Sequence, residues 1–320
     1  MIIHGFELIK EEKIPKLNNT NARLFRHIET GAELLSMEND DENKSFGITF
    51  RTPVNDSTGV PHILEHSVLG GSQKYPVKDP FVHLTQGSLN TFINAFTFPD
   101  KTCYPAASQN LKDFYNLIDV YLDAVLYPNI KPETLQQEGW HYELENLDAP
   151  LTYKGVVLNE MKGTYSSPEQ IFGDVIQRNL FPDTTYQFDS GGNPKHITDL
   201  TYEQFKSYHE TYYHPSNARI YFYGDDPPEA RLRIIQNYLK DFSKIEPDSK
   251  ITLQPYFDAP RRVTHAYPAG RETDPEKKYR IAVNWLLPEA TDPELTMALS
   301  IMSDLLTGTS ASPLRKALIQ

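Results

Sequence analysis

The segment Gly59-Val60-Pro61-His62-Ile63-Leu64-Glu65-His66-Ser67-Val68-Leu69-Gly70-Gly71 restricts this chain more than any other stretch. Pro61 suits the first turn of a helix and the paired glycines supply a stop, which predicts a helix of about nine residues. On such a helix, residues four apart lie on one face, about one turn from each other. His62 and His66 therefore present two imidazoles side by side, and Glu65, three residues after His62, shares their face.

Two imidazoles so placed can share a metal ion, and an acid beside them can reach a water on that ion without ligating it. The order His-x-x-Glu-His is the inverted form of a zinc-hydrolase signature. The competing reading is a pair of surface histidines or of satisfied core groups. A catalytic zinc site usually takes three protein ligands and leaves one position open, and a carboxylate is the preferred partner of two histidines. Glu160, in Asn159-Glu160-Met161-Lys162-Gly163, is the best candidate, although Glu138, Glu143, Glu145 and Glu169 are also near and spacing alone does not choose between them.

Composition removes several function classes. With 31 Lys and Arg against 43 Asp and Glu, the net charge is −12. Such a chain is repelled by phosphate backbones and anionic lipid, which argues against nucleic acid as a partner. No window approaches eighteen apolar residues free of charge, so no membrane span is expected. Cys103 is the single cysteine and cannot close an internal disulfide. The first residues, Met1 to Phe6, lack the basic and long apolar runs of a secretory signal, and Glu7, Glu11 and Glu12 argue against an organellar transit peptide. The expected location is the cytoplasm for a bacterial chain, or the mitochondrial matrix or plastid stroma for a processed eukaryotic one.

Along the chain, Ala32–Met37 and Phe46–Arg51 read as strands of a hairpin, and Thr91–Phe98 with Thr102–Ala106 as a second hairpin about Pro99-Asp100-Lys101. Leu111, Phe114, Tyr115, Ile118, Tyr121, Leu122 and Val125 recur at helical spacing and mark a long amphipathic helix. A further helix is expected over Pro132–Asn146, a strand-like run at Val156-Val157-Leu158, a buried strand over Arg219–Tyr223 and a helix over Glu229–Phe242. Ser243–Pro275 reads as a linker with a short strand, followed by a strand over Tyr279–Leu287 and helices over Asp292–Leu306 and Leu314–Gln320. The expected fold class is α+β, a mostly antiparallel sheet flanked by helices. Residues 1–260 would form the metal-bearing αβ domain, and 261–320 a linker and the incomplete start of a second, similar αβ domain, as in the front part of a longer protein.

Four motifs together carry a family resemblance. The run Gly59 to Pro76, with Phe92-Ile93-Asn94-Ala95-Phe96-Thr97, Gln137-Glu138-Gly139-Trp140-His141-Tyr142-Glu143-Leu144 and Gly155-Val156-Val157-Leu158-Asn159-Glu160-Met161-Lys162-Gly163, resembles the pitrilysin-type zinc peptidases. Within them it looks most like the presequence protease branch. The resemblance implies one zinc ion per chain on His62, His66 and Glu160, with Glu65 as catalytic base. It also implies that Asn94, Ala95 and Phe96 belong to an edge strand along which unfolded peptide substrates lie. In such enzymes two similar halves close around a chamber, and an arginine and a tyrosine from the second half assist the reaction. The missing C-terminal half of the same protein is therefore an implied partner.

The activity implied is that of a zinc metalloendopeptidase degrading short, unstructured, targeting-sequence-like peptides. The rivals are a non-catalytic relative serving as a peptide-binding or structural subunit, and a scaffold that only binds partners. Other candidates carry less: His141 beside Trp140 reads as packing, and His83 and Cys103 could be read as extra metal ligands, although a lone buried thiol is usually inert packing.

Overall fold

Alternation builds the middle of the sheet. In the computed structural model, which describes residues 1–268, 274 and 278–320, Ala218, Ile220 and Phe222 are buried while Arg219 and Tyr221 are exposed. This is the two-residue period of a strand with one covered face. The strands in chain order are β1 (Ile2–Ile3), β2 (Phe6–Ile14), β3 (Thr20–His27), β4 (Glu33–Glu38), β5 (Lys44–Arg51) and β6 (Asn90–Ile93). There follow β7 (Phe96–Thr97), β8 (Lys101–Ser108), β9 (His141–Glu143), β10 (Thr152–Lys154) and β11 (Ala218–Gly224). The helices are α1 (Val60–Val68), α2 (Pro80–Gly87), α3 (Leu111–Leu126), α4 (Pro132–Glu138) and α5 (Val156–Thr164). After them come α6 (Pro168–Leu180), α7 (Tyr202–Tyr212), α8 (Pro228–Leu239), α9 (Pro293–Thr307) and α10 (Pro313–Ile319).

Nine strands form one sheet in the order β1-β2-β3-β4-β11-β5-β8-β6, with β7 also paired to β8, while β9 and β10 make a separate ribbon. Among the described residues β4 and β11 run parallel and the other pairs antiparallel. The architecture is α+β with a mostly antiparallel sheet, in line with the sequence reading.

Helices α1 and α3 cover one face. Phe114, Leu117, Ile118, Tyr121, Leu122 and Val125 of α3 are all buried, with Phe114 edge-on to Phe222 of β11. Each such side chain contributes about 1.5–3 kcal/mol of transfer free energy. Asn110 caps this helix by accepting the Asp113 backbone N–H at 3.0 Å. Leu111, counted with the apolar stripe from its spacing, is exposed in the first turn.

Several expectations are corrected. Strands β4 and β5 form where expected but not as a hairpin, because β11 lies between them: Phe222 aligns with Ser36 of β4 and with Phe46 of β5. The turn between β4 and β5 is tied to the end of β11 instead, through Asp225 N–H to the Asp41 carbonyl at 3.1 Å and Lys44 to Asp225 at 2.9 Å. The second hairpin does form, with β6 and β7 both on β8 and a break at Asn94-Ala95.

The helix expected to Asn146 ends at Glu138, and His141–Glu143 pairs with Thr152–Lys154. Gly139 permits the exit, since a Cβ there would lie 2.8 Å from the Leu135 carbonyl oxygen. Val156-Val157-Leu158 is the first turn of α5, with Val157 and Leu158 buried. A short apolar run cannot be divided between strand and helix by its periodicity.

The described part of the expected linker, 243–268, holds neither helix nor strand, and residues 269–273 and 275 of it lie outside the described residues. Tyr279–Leu287 is not a strand either. Ile281, Val283 and Trp285 are exposed, and no strand pairs with them among the described residues. An apolar alternation without a neighbouring strand leaves its backbone groups to water.

The chain divides into two units, Met1–Arg280 and Ile281–Gln320. The sheet and helices α1 to α8 belong to the first. In the second, Asp292 caps α9 by accepting the Leu295 N–H at 3.0 Å, and α10 follows after a short turn.

Candidate metal centre

Helix α1 is built to turn one face outward. It begins after Gly59, whose φ of 73° is a left-handed conformation that glycine adopts without strain. Val60, Pro61, Ile63, Leu64, Ser67 and Val68 are buried, and the Ser67 hydroxyl donates back to the Ile63 carbonyl at 2.6 Å. What remains toward solvent is His62, Glu65 and His66, with the two imidazole centroids 5.0 Å apart.

Glu160 comes from α5, where Val157, Leu158 and Met161 are buried. Its Oε2 lies 3.7 Å from His62 Nε2 and 3.9 Å from His66 Nε2. One ligand atom from each of the three residues lies within 4.8 Å of the others. Ligand atoms about 2.0–2.2 Å from a tetrahedral zinc stand about 3.4 Å apart. The two separations from Glu160 exceed that by only a few tenths of an ångström and the third stays within 4.8 Å, so the donor set of two imidazoles and a carboxylate fits such an ion.

Two further groups hold the imidazoles by their other nitrogens. His62 Nδ1 donates to the Gly191 carbonyl at 2.9 Å. His66 Nδ1 lies 3.4 Å from Glu138 Oε2 at the end of α4. The Gly191 carbonyl is set there by close backbone packing, since a Cβ on Gly59 would come within 2.7 Å of Gly192 Cα. The Glu138 carboxylate raises the His66 pKa above the ordinary imidazole value, with burial opposing and Glu65 and Glu160 adding to the rise. Burial pushes the Glu138 carboxyl up, yet its bonds with His66 and Gln137 outweigh that and leave it below the usual range.

Glu65 sits outside the three-ligand cluster. Its Oε2 accepts from the Thr97 hydroxyl of β7 at 2.5 Å. This contact joins α1 to the sheet edge formed by β6 and β7. Asn94 and Ala95 fall in the break between those strands: the Tyr121 hydroxyl donates to the Asn94 carbonyl at 3.1 Å, and Ala95 N–H donates to Asn94 Oδ1 at 2.9 Å. Phe96 neighbours Thr97 and so points to the opposite face of the sheet from Glu65. There its ring lies 6.4 Å from Phe92 and 6.2 Å from Phe98.

The other histidine and cysteine candidates lie elsewhere. His141 is bound to the Gln136 carbonyl at 2.7 Å, and neither His83 nor Cys103 joins the cluster of potential ligands. Sequence reasoning missed Gly191 and Thr97, and considered Glu138 only as a possible ligand. The Gly191-Gly192 pair was the one available signal, since adjacent glycines mark a close backbone approach.

Residues 52–170 match the family model of insulinase (peptidase family M16), and residues 199–320 match that of the M16 peptidase inactive domain. The first match contains His62, Glu65, His66 and Glu160. The second includes β11, so it contributes the strand between β4 and β5. Over 321 residues the chain is 56% identical to presequence protease 1, chloroplastic/mitochondrial, of Arabidopsis thaliana, covering 99% of this chain and 30% of that protein. It is 49% identical to protein HypA of Clostridium perfringens, covering 99% of this chain and 33% of the relative. It is 45% identical to the mitochondrial presequence protease of Xenopus tropicalis, covering 99% and 31%. The chain thus spans about a third of the length of these relatives. Among solved structures, pitrilysin superposes with a TM-score of 0.59 at 18% identity, covering 79% of this chain and 26% of that one, a likeness of fold. From these matches, the chain carries M16 family peptidase domains and is homologous to presequence proteases along nearly its whole length, with a fold like that of pitrilysin.

Proposed function

We propose that this chain is the zinc-bearing part of a metalloendopeptidase that degrades short unstructured peptides, such as cleaved targeting sequences. His62, His66 and Glu160 hold one zinc ion, and Glu65 is the general base. The observation that carries the reading is the meeting of two imidazole nitrogens and one carboxylate, from α1 and α5, within 4.8 Å.

Bound zinc would supply Lewis acidity toward water and toward the scissile carbonyl. The protein's own groups do the rest. Anchored at Nδ1 by the Gly191 carbonyl, His62 would turn Nε2 toward the ion. Glu65, held at Oε2 by Thr97, takes a proton from the attacking water and delivers it to the leaving amine. The edge at Asn94, Ala95 and Phe96 offers main-chain groups to an extended peptide, a sequence-tolerant form of recognition suited to varied substrates. The Phe96 side chain, facing away from Glu65, is not needed for that.

Full activity would require the remaining length of the protein, which in this reading closes over the site. The compartment follows the source: cytoplasm for a bacterial protein, matrix or stroma for a eukaryotic one.

Metal analysis and kinetics test the reading together. The protein should carry about one zinc, lost on His62→Ala. In the full-length protein, Glu65→Gln should keep the metal and lower peptide turnover by about 10²–10⁴-fold. Metal-free wild type, or a Glu65→Gln variant active within about tenfold of it, is incompatible with these roles.

A further inference from the structure

The two imidazoles of the centre are held in different ways. His62 rests against a backbone carbonyl, that of Gly191, at 2.9 Å. His66 faces a carboxylate, with Glu138 Oε2 3.4 Å from Nδ1. The Glu138 side chain is only 15% exposed, and its other oxygen accepts from the Gln137 side chain at 2.8 Å. It is excluded from the ligand cluster because it addresses the nitrogen of His66 opposite to the one nearest Glu160.

A neutral imidazole carries one N–H, and the nitrogen that carries it cannot bind a metal. An acceptor at Nδ1 holds the proton there and leaves Nε2 free. We propose that Glu138 is the positioning residue for His66: it fixes the ring's tautomer and orientation so that Nε2 is directed to the point shared with His62 and Glu160. The inference rests on the zinc reading above and adds a fifth residue to its four, one that touches neither metal nor substrate. Its placement depends on α4 ending at Glu138, because the chain turns away at Gly139.

Two measurements test it. In the metal-free chain, at a pH where the ring-nitrogen shifts themselves show His66 to be neutral, NMR should find it protonated at Nδ1. In Glu138→Ala it should shift toward the Nε2–H form. Chelator competition should then show zinc bound about 10- to 100-fold more weakly by Glu138→Ala. Glu138→Gln, whose amide oxygen still accepts, should recover most of that affinity. A wild-type His66 protonated at Nε2, a measurement that needs no variant to fold, overturns the proposal. So does a folded Glu138→Ala that binds zinc as tightly as wild type. If wild type binds zinc and His66→Ala does not, such a result removes the role of Glu138 alone. If wild type binds none, the metal reading fails and this inference with it.

Discussion

Gly155 and Gly139 touch through their backbones: a Cβ on Gly155 would stand 2.0 Å from the Gly139 carbonyl oxygen. Gly155 opens α5, which carries Glu160, and Gly139 closes α4, which carries Glu138. The contact brings together the two helix ends that supply carboxylates to the site.

Gly155→Ala should therefore do more than fill space. The backbone must move apart, because the obstructing atom is a carbonyl and cannot rotate away. We expect a loss of about 3 kcal/mol or more in stability, read by urea unfolding, and weaker zinc retention in the fraction that stays folded. A variant with wild-type stability and metal content would show that this approach places nothing.

Thr97→Val removes the hydroxyl that donates to Glu65 and keeps the side-chain volume. A hydrogen bond to a charged group contributes about 1.5–3 kcal/mol, so turnover should fall roughly ten- to hundredfold in the full-length protein while zinc content stays unchanged. Thr97→Ser should restore most of the rate. Equal rates for Val and Ser variants would detach Thr97 from the base.

His209 governs a pH effect away from the site. Burial lowers its pKa to about 4, with the Val125 carbonyl bond and Glu210 opposing, and its ring stacks on Tyr213 at 4.8 Å. The folded pKa lies below the unfolded value of about 6.5, so the unfolded chain takes up the proton first. Stability from the neutral ring is complete above about pH 6.5 and is lost as pH falls toward about 4, by something of order 3 kcal/mol. His209→Gln, which can still donate to Val125 but does not titrate, should flatten stability against pH across that window by about one proton. An unchanged slope in urea unfolding from neutral to acid pH would remove His209 as the source.

What the sequence made legible was local. Helix α1, its length and the shared face of His62, Glu65 and His66 follow from spacing and from the proline and glycines at its ends. The alternation in β4, β5 and β11 marked strands but not their neighbours, because pairing across the chain depends on contacts that no short window contains. Strands β2 and β3 escaped notice: most of β2 is charged and exposed, without a clean alternation. Spacing alone left Glu160 among several acids; the family resemblance singled it out, and α5 carries it to the imidazoles. Gly191 and Glu138 act on the histidines through tertiary packing, of which the adjacent glycines 191 and 192 were the one local sign.

The position of β11 also bears on how the molecule is made. Helices α1 and α5 both leave the ribosome before Ala218, yet β4 and β5 have no common neighbour until that strand emerges. The helices that carry His62, His66 and Glu160 form against an unfinished sheet, and the step that completes it joins distant parts of the chain, the slow kind of closure. A nascent chain stalled before Ala218 would expose the apolar flanks of β4 and β5 to chaperones or to other copies.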